Sequence, residues 1–68
     1  MNKVFRPITY KEFFGLSVGQ KILVSCGGRL CESEIIRGAF YNYDADEPDY
    51  EIETNNGFCD WESVYVYE

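Results

Sequence analysis

The sequence predicts a mainly β domain, a small antiparallel sheet of about five strands that closes on itself as a barrel, preceded by one short helix. Three observations carry this. Ile22, Val24 and Cys26 alternate with Lys21, Leu23 and Ser25, and Tyr50, Ile52 and Thr54 alternate with Glu51 and Glu53, the two-residue period of a half-buried strand. Gly27-Gly28 and Asn56-Gly57 follow these runs, placing turn formers where tight hairpins need them. A composition 46% hydrophobic and 18% aromatic in 68 residues is far richer than that of disordered chains. It suffices for a single domain over residues 1–68, a size at which about 60% of the unfolded surface is buried.

The elements follow in order. Pro7 suits an extended lead-in. Thr9-x-x-Glu12 has capping-box spacing, Tyr10, Phe13, Phe14 and Leu16 share one face, and Gly15 with Ser17-Val18-Gly19 ends the run, which predicts a helix over about 9–15. A strand begins at Lys21, turns at Gly27-Gly28 and returns from Leu30 to about Tyr43, with Ile35-Ile36 and Gly38 breaking alternation as a bulge or bend does. Tyr41 to Glu53 then holds six carboxylates and three tyrosines. Within it Glu47-Pro48-Asp49 has turn chemistry. The strand from Tyr50 to Thr54 pairs through Asn56-Gly57 with Phe58, Cys59 and Trp61, and Val64–Tyr67 is the last short strand.

Alternation assigns Ile22, Val24, Ile35, Ile52, Phe58, Trp61, Val64 and Val66 to the core, with Trp61 as a surface anchor the alternative reading. It points Glu51, Glu53, Tyr65 and Tyr67 outward, where they share a patch if the last strand lies near the acidic one.

Val18-Gly19-Gln20-Lys21-Ile22, and Tyr50-Glu51-Ile52-Glu53 with Asn56-Gly57, resemble the first-strand entry and central hairpin of SH3-like small barrels of the Tudor or KOW kind. The resemblance covers roughly Leu16 to Tyr67 and implies a barrel over about 18–67 that binds peptides, modified side chains or nucleic acids. By the same analogy Tyr43, Tyr50, Trp61, Tyr65 and Asp60 would be the material of an aromatic cage for methylated lysine. An open α+β sheet with one helix is the rival architecture.

The functional classes narrow next. The chain contains no histidine, which removes the commonest general acid–base and argues against an enzyme. Cys26, Cys31 and Cys59 are an odd number without zinc spacing, and Pro48 and Asp49 stand where a calcium loop needs its third ligand and its glycine. No metal or other cofactor is therefore expected. No apolar run is long enough to span a membrane and MNKVFRPITY lacks a signal-peptide core, so the expected location is cytoplasmic.

Charge is distributed unevenly. Met1–Cys31 carries five basic residues against one acid, and Glu32–Glu68 carries Arg37 against eleven acids, in a chain of net charge -6. Cross-strand pairing would absorb part of the asymmetry. A remaining acidic face repels phosphate, which argues against direct nucleic-acid binding. The expectation is a non-enzymatic interaction module whose acidic, tyrosine-rich face, comprising Tyr43, Asp44, Asp46, Glu47, Asp49, Tyr50, Glu51, Glu53, Tyr65 and Tyr67, engages a basic protein or peptide. The alternative is a nucleic-acid-mimic inhibitor of the phage or mobile-element type. In it Asp49, Glu51 and Glu53, about 6.7 Å apart along a strand, stand in for phosphates.

Overall fold

The computed structural model describes residues 4–68; Lys3, counted in the charge balance above, lies outside them. Six strands form one antiparallel sheet: β1 (Phe5–Pro7), β2 (Lys21–Cys26), β3 (Arg29–Asn42), β4 (Asp49–Thr54), β5 (Gly57–Cys59) and β6 (Val64–Tyr67). Their order across the sheet is β1-β6-β2-β3-β4-β5. One α-helix, α1 (Tyr10–Phe14), joins β1 to β2, and one turn of 3-10 helix, η1 (Trp61–Ser63), joins β5 to β6.

The closed five-stranded barrel is thus corrected to an open six-stranded sheet. Phe5–Pro7 adds an edge strand on β6, with Phe5 opposite Tyr67 and Pro7 opposite Tyr65. Pro7 hides its strand character from a pattern search, yet an edge strand tolerates a residue without an N–H. The other edge is β5, and among the described residues β1 and β5 do not pair with each other.

Helix α1 begins as the capping box predicts. The Glu12 N–H donates to the Thr9 hydroxyl at 3.2 Å and the Thr9 N–H donates to Glu12 Oε1 at 3.0 Å. Arg6 of β1 adds a two-pronged pair to the same carboxylate at 2.7 Å, tying the edge strand to the helix start. Phe13, fully buried, plugs the helix into the core, whereas Tyr10 and Phe14 stay exposed rather than joining Phe13 and Leu16 on one buried face. Five residues make barely more than one turn, so packing and not propensity holds this helix.

The β2–β3 hairpin turns at Gly27-Gly28, both with positive φ, the backbone twist of the tight primed turns. Strand β3 pairs first with β2 and then with β4, and its register slips between Ile35 and Arg37 and again between Arg37 and Phe40. Gly38 sits within the second slip. A Cβ there would stand 3.3 Å from the Leu16 carbonyl oxygen, so glycine lets the helix–strand loop approach the bend this closely without displacing that carbonyl. Strand β3 runs for 14 residues in a molecule of 41 × 25 × 20 Å.

Beyond the bend, Asn55 and Asn56 form the loop of the β4–β5 hairpin and Gly57 opens β5. Their side chains reach back to β3: Asn55 Oδ1 accepts from the Glu34 N–H at 2.8 Å, and Asn56 Nδ2 donates to the buried Ser33 hydroxyl at 2.8 Å. Strand β5 covers only Ile52–Thr54, so among the described residues Asp49–Glu51 of β4 has no strand on that side.

The core comprises Ile8, Phe13, Leu16, Ile22, Val24, Ile35, Ile52, Cys59 and Val64, with Cys26, Ala39, Trp61 and Val66 packed at its rim. Phe58, expected inside, is exposed. Ile52 pairs with Cys59, so Cys59 takes the inward position and Phe58 the outward one. Trp61 leaves the expected strand for η1, where the Ser63 N–H donates to the Asp60 carbonyl and the Ser63 hydroxyl to the Asp60 carboxylate, both at 3.1 Å. Leu23, on the outward parity, is nevertheless buried opposite Tyr65.

Two predictions follow from these contacts. Hydrogen bonds from Arg6 and then from Thr9 hold the Glu12 carboxyl at about 2 instead of the ordinary 4.5. A depressed folded-state value stabilises the fold above the unfolded value and is lost as pH falls toward the folded one. The difference in thermal midpoint between the parent chain and Glu12→Gln should therefore be full above pH 4.5 and shrink to nothing near pH 2; a difference independent of pH would refute the contact's role. Separately, Asn56→Ala removes a donor from a buried hydroxyl and should cost about 1–3 kcal/mol in urea unfolding.

Candidate functional site

The site is built where the bent sheet meets the helix. The two slips in β3 set Phe40 opposite Glu51 on the outer face and Tyr41 opposite Tyr50 on the helix side. Tyr10 and Phe14, four residues apart on α1, project from one helix face toward this region. Edge-on ring contacts link them: Trp61 to Tyr10 at 5.5 Å, Tyr10 to Phe14 at 4.9 Å, Phe14 to Tyr50 at 5.1 Å, Tyr50 to Tyr41 at 5.1 Å and Tyr41 to Tyr43 at 4.7 Å. The result is a continuous track of rings from η1, across α1, to the tip of the β3–β4 hairpin. It is wet along most of its length: Tyr10 is 48% exposed, Phe14 43%, Tyr41 38%, Tyr50 40% and Tyr43 80%.

The connection from Tyr43 to Pro48 is shaped by its own polar groups. Asn42 Oδ1 accepts from the Asp44 N–H at 3.1 Å, Asp49 Oδ1 accepts from the Tyr50 N–H at 2.7 Å, and the Tyr41 hydroxyl donates to the Pro48 carbonyl at 3.4 Å. Asp44, Asp46, Glu47 and Asp49 are all exposed, and among the described residues none has an ion-pair partner. Among the described residues the one ion pair that crosses the basic and acidic halves is Lys21–Glu34 at 3.9 Å, far from the hairpin tip in register. Cross-strand pairing therefore leaves the acidic loop unneutralised.

The structure brings together Tyr43, Asp44, Asp46, Glu47, Asp49 and Tyr50, and it separates the other expected residues from them. Glu51 and Glu53 point to the outer face, where Glu51 accepts from Asn42 Nδ2 at 2.7 Å and Glu53 lies opposite Arg37. Tyr65 and Tyr67 also take the outward parity, since Val64 is buried and Val66 packs on the core. Strands β2 and β3 stand between β6 and β4, about 14 Å of sheet. The shared patch of Tyr65 and Tyr67 with Glu51 and Glu53 is accordingly absent. Tyr65 instead contacts Phe5 at 6.3 Å. The same separation leaves no cage built from Tyr43, Tyr50, Trp61 and Tyr65.

Sequence reasoning does not single out Tyr10 and Phe14; it places Tyr41 with Tyr43 and Tyr50 beside the acids but leaves it out of the predicted contact residues. A signal exists for the first two, because Phe13 already fills the one inward position of so short a helix and leaves the Tyr10–Phe14 pair outside. Tyr41 shares the parity of buried Ile35, six residues earlier, and the two slips return it to that face.

Two of the thiols are shifted away from the nucleophilic form. Cys26 and Cys31 lie diagonally across the β2–β3 hairpin, and contact with the Cys31 thiol, then burial, raises Cys26 above its ordinary value. Burial, followed by the Asp60 and Glu51 charges, pushes Cys59 up to about 11. Both shifts oppose the thiolate that nucleophilic chemistry requires. Among the described residues no three His, Cys, Asp or Glu side chains converge as metal ligands, and no helix is long and apolar enough to cross a membrane. No family model, curated protein or solved structure matches the chain.

Iodoacetamide at neutral pH should alkylate Cys59 last of the three thiols and only as the chain unfolds. Peptide mass mapping in which Cys59 is modified first in the folded chain would contradict its burial.

Proposed function

We propose that the chain is a non-enzymatic interaction module whose β3–β4 hairpin end binds a basic protein partner. One observation carries the reading: the exposed rings of Tyr41, Tyr43 and Tyr50 touch edge to edge beside four carboxylates, Asp44, Asp46, Glu47 and Asp49, that have no cation among the described residues. Ring faces attract cations through their quadrupole, and phenol hydroxyls keep such rings compatible with water until a partner covers them. Carboxylates at the rim steer a basic surface toward the rings, so association should weaken with salt.

The bent sheet, with β3 shared between two arms, is read as an opened form of the SH3-like arrangement that the sequence resembles. Three free cysteines suit a reducing cytoplasm. The nucleic-acid-mimic reading rests on Asp49, Glu51 and Glu53 at alternate positions of β4. It is the weaker of the two, because Asn42 occupies Glu51 and Arg37 faces Glu53.

Tyr43→Ala combined with charge reversal at Asp46 and Asp49 should abolish capture of the partner while leaving the circular dichroism spectrum unchanged. Retained capture would end the hypothesis. Displacement of the partner-bound chain by duplex DNA would favour the mimic instead.

A further inference from the structure

We propose that the binding face continues beyond the hairpin tip along the whole ring track, over Phe14 and Tyr10 to Trp61, and that it seats an extended, arginine-bearing segment of the partner. The inference rests on the reading of the hairpin tip as a binding edge and adds to it a footprint and a residue preference.

The footprint follows from geometry. The rings from Tyr43 to Trp61 succeed one another at 4.7–5.5 Å between centroids, without a gap. Tyr10, Phe14, Tyr41 and Tyr50 each leave more than a third of their surface in water. Exposing these rings runs against the fold's own need for apolar burial, since a chain this short has few large side chains to spare. A narrow line of rings suits an extended backbone, whose same-face side chains recur every ~6.7 Å, better than it suits a broad globular surface.

Charge complementarity selects a cationic occupant, because the track ends in four carboxylates that have no ion-pair partner among the described residues, and the chain itself indicates which cation. On the outer face the Arg37 guanidinium lies 3.7 Å from the centroid of the Phe40 ring, in a position that needs no ion pair to hold it. Arginine can stack its planar group on a ring while donating to a carboxylate at the ring's edge. Lysine, a strongly hydrated point charge, does the second more readily than the first. Along the track the guanidinium groups would lie on Tyr50, Phe14 and Tyr10, with those nearest the tip reaching Asp46 of the connecting loop.

The test uses the folded chain and a fluorescein-labelled synthetic peptide of alternating arginine and serine, with a lysine–serine peptide of equal length beside it. Anisotropy measures binding. The emission of Trp61, the single tryptophan, reports whether the far end of the track is covered. Phe14→Leu and Tyr10→Leu keep apolar contact while removing the ring, and circular dichroism verifies their folding. The arginine peptide should bind about threefold more tightly than the lysine peptide and shift Trp61 emission, and each leucine variant should lose about threefold in affinity. Tyr43→Ala with Asp46→Lys should lose more. If that tip variant abolishes binding while both leucine variants bind like the parent and Trp61 emission does not move, the extended footprint is wrong and the hairpin reading stands. If the parent binds neither peptide at low salt, both are wrong.

Discussion

The architecture depends on one strand being bent. Strand β3 supplies a pairing edge to β2 over its first half and to β4 over its second. The core fills the concavity between those arms, where Ile22, Ile35, Ile52 and Val64 converge on Phe13. The bend is enforced from two sides. Register slips shorten the ladder around Arg37, and the Leu16 carbonyl closes on Gly38 from the helix side. Without it, a sheet of this width would present a flat face too large for one short helix to cover.

The same bend decides which aromatic residues are visible to solvent. In an unbroken strand Tyr41 would share the parity of Ile35, and Phe40 would share that of Ile36. Two successive slips leave that relation intact overall, yet shift β4 relative to β3 so that Tyr50, and not Pro48, becomes the cross-strand partner of Tyr41. The tyrosine pair then lies just past the end of the core, beyond the reach of Phe13 but within reach of Phe14. Core and track are therefore continuous: Phe13 and Phe14, adjacent in sequence and 5.6 Å apart ring to ring, belong one to each.

Local chemistry made much of this legible in the sequence. The capping box at Thr9 and Glu12, the Gly27-Gly28 turn, the bend at Gly38 and the inward set Ile22, Val24, Ile52 and Val64 are all short-range signals with one physical solution. What was hidden depends on pairing between distant segments. Phe58 and Cys59 are both apolar, and only the register against Ile52 determines which points inward. Phe5–Pro7 reads as a lead-in until β6 is present to receive it. The distance between Tyr65 and Glu51 is set by strand order, which alternation along a single strand does not encode. The acidic tip was evident from composition, whereas the helix half of the ring track required the tertiary placement of α1.

The short span of β5 has a consequence for the behaviour of the chain among its own copies. Among the described residues Asp49–Glu51 of β4 lies at a sheet edge flanked by exposed rings, with the Tyr50 N–H turned to the Asp49 carboxylate, and an open edge ordinarily invites another strand to add itself. Two copies approaching edge to edge would bring Asp49 and Glu51 of each against the other's, beneath loops already crowded with Asp44, Asp46 and Glu47, and Pro48 denies the intruder one backbone donor. Mutual repulsion among copies would oppose such pairing, and less strongly as salt screens the charges. For an identical chain, acidic crowding at this edge would act as a barrier to polymerisation.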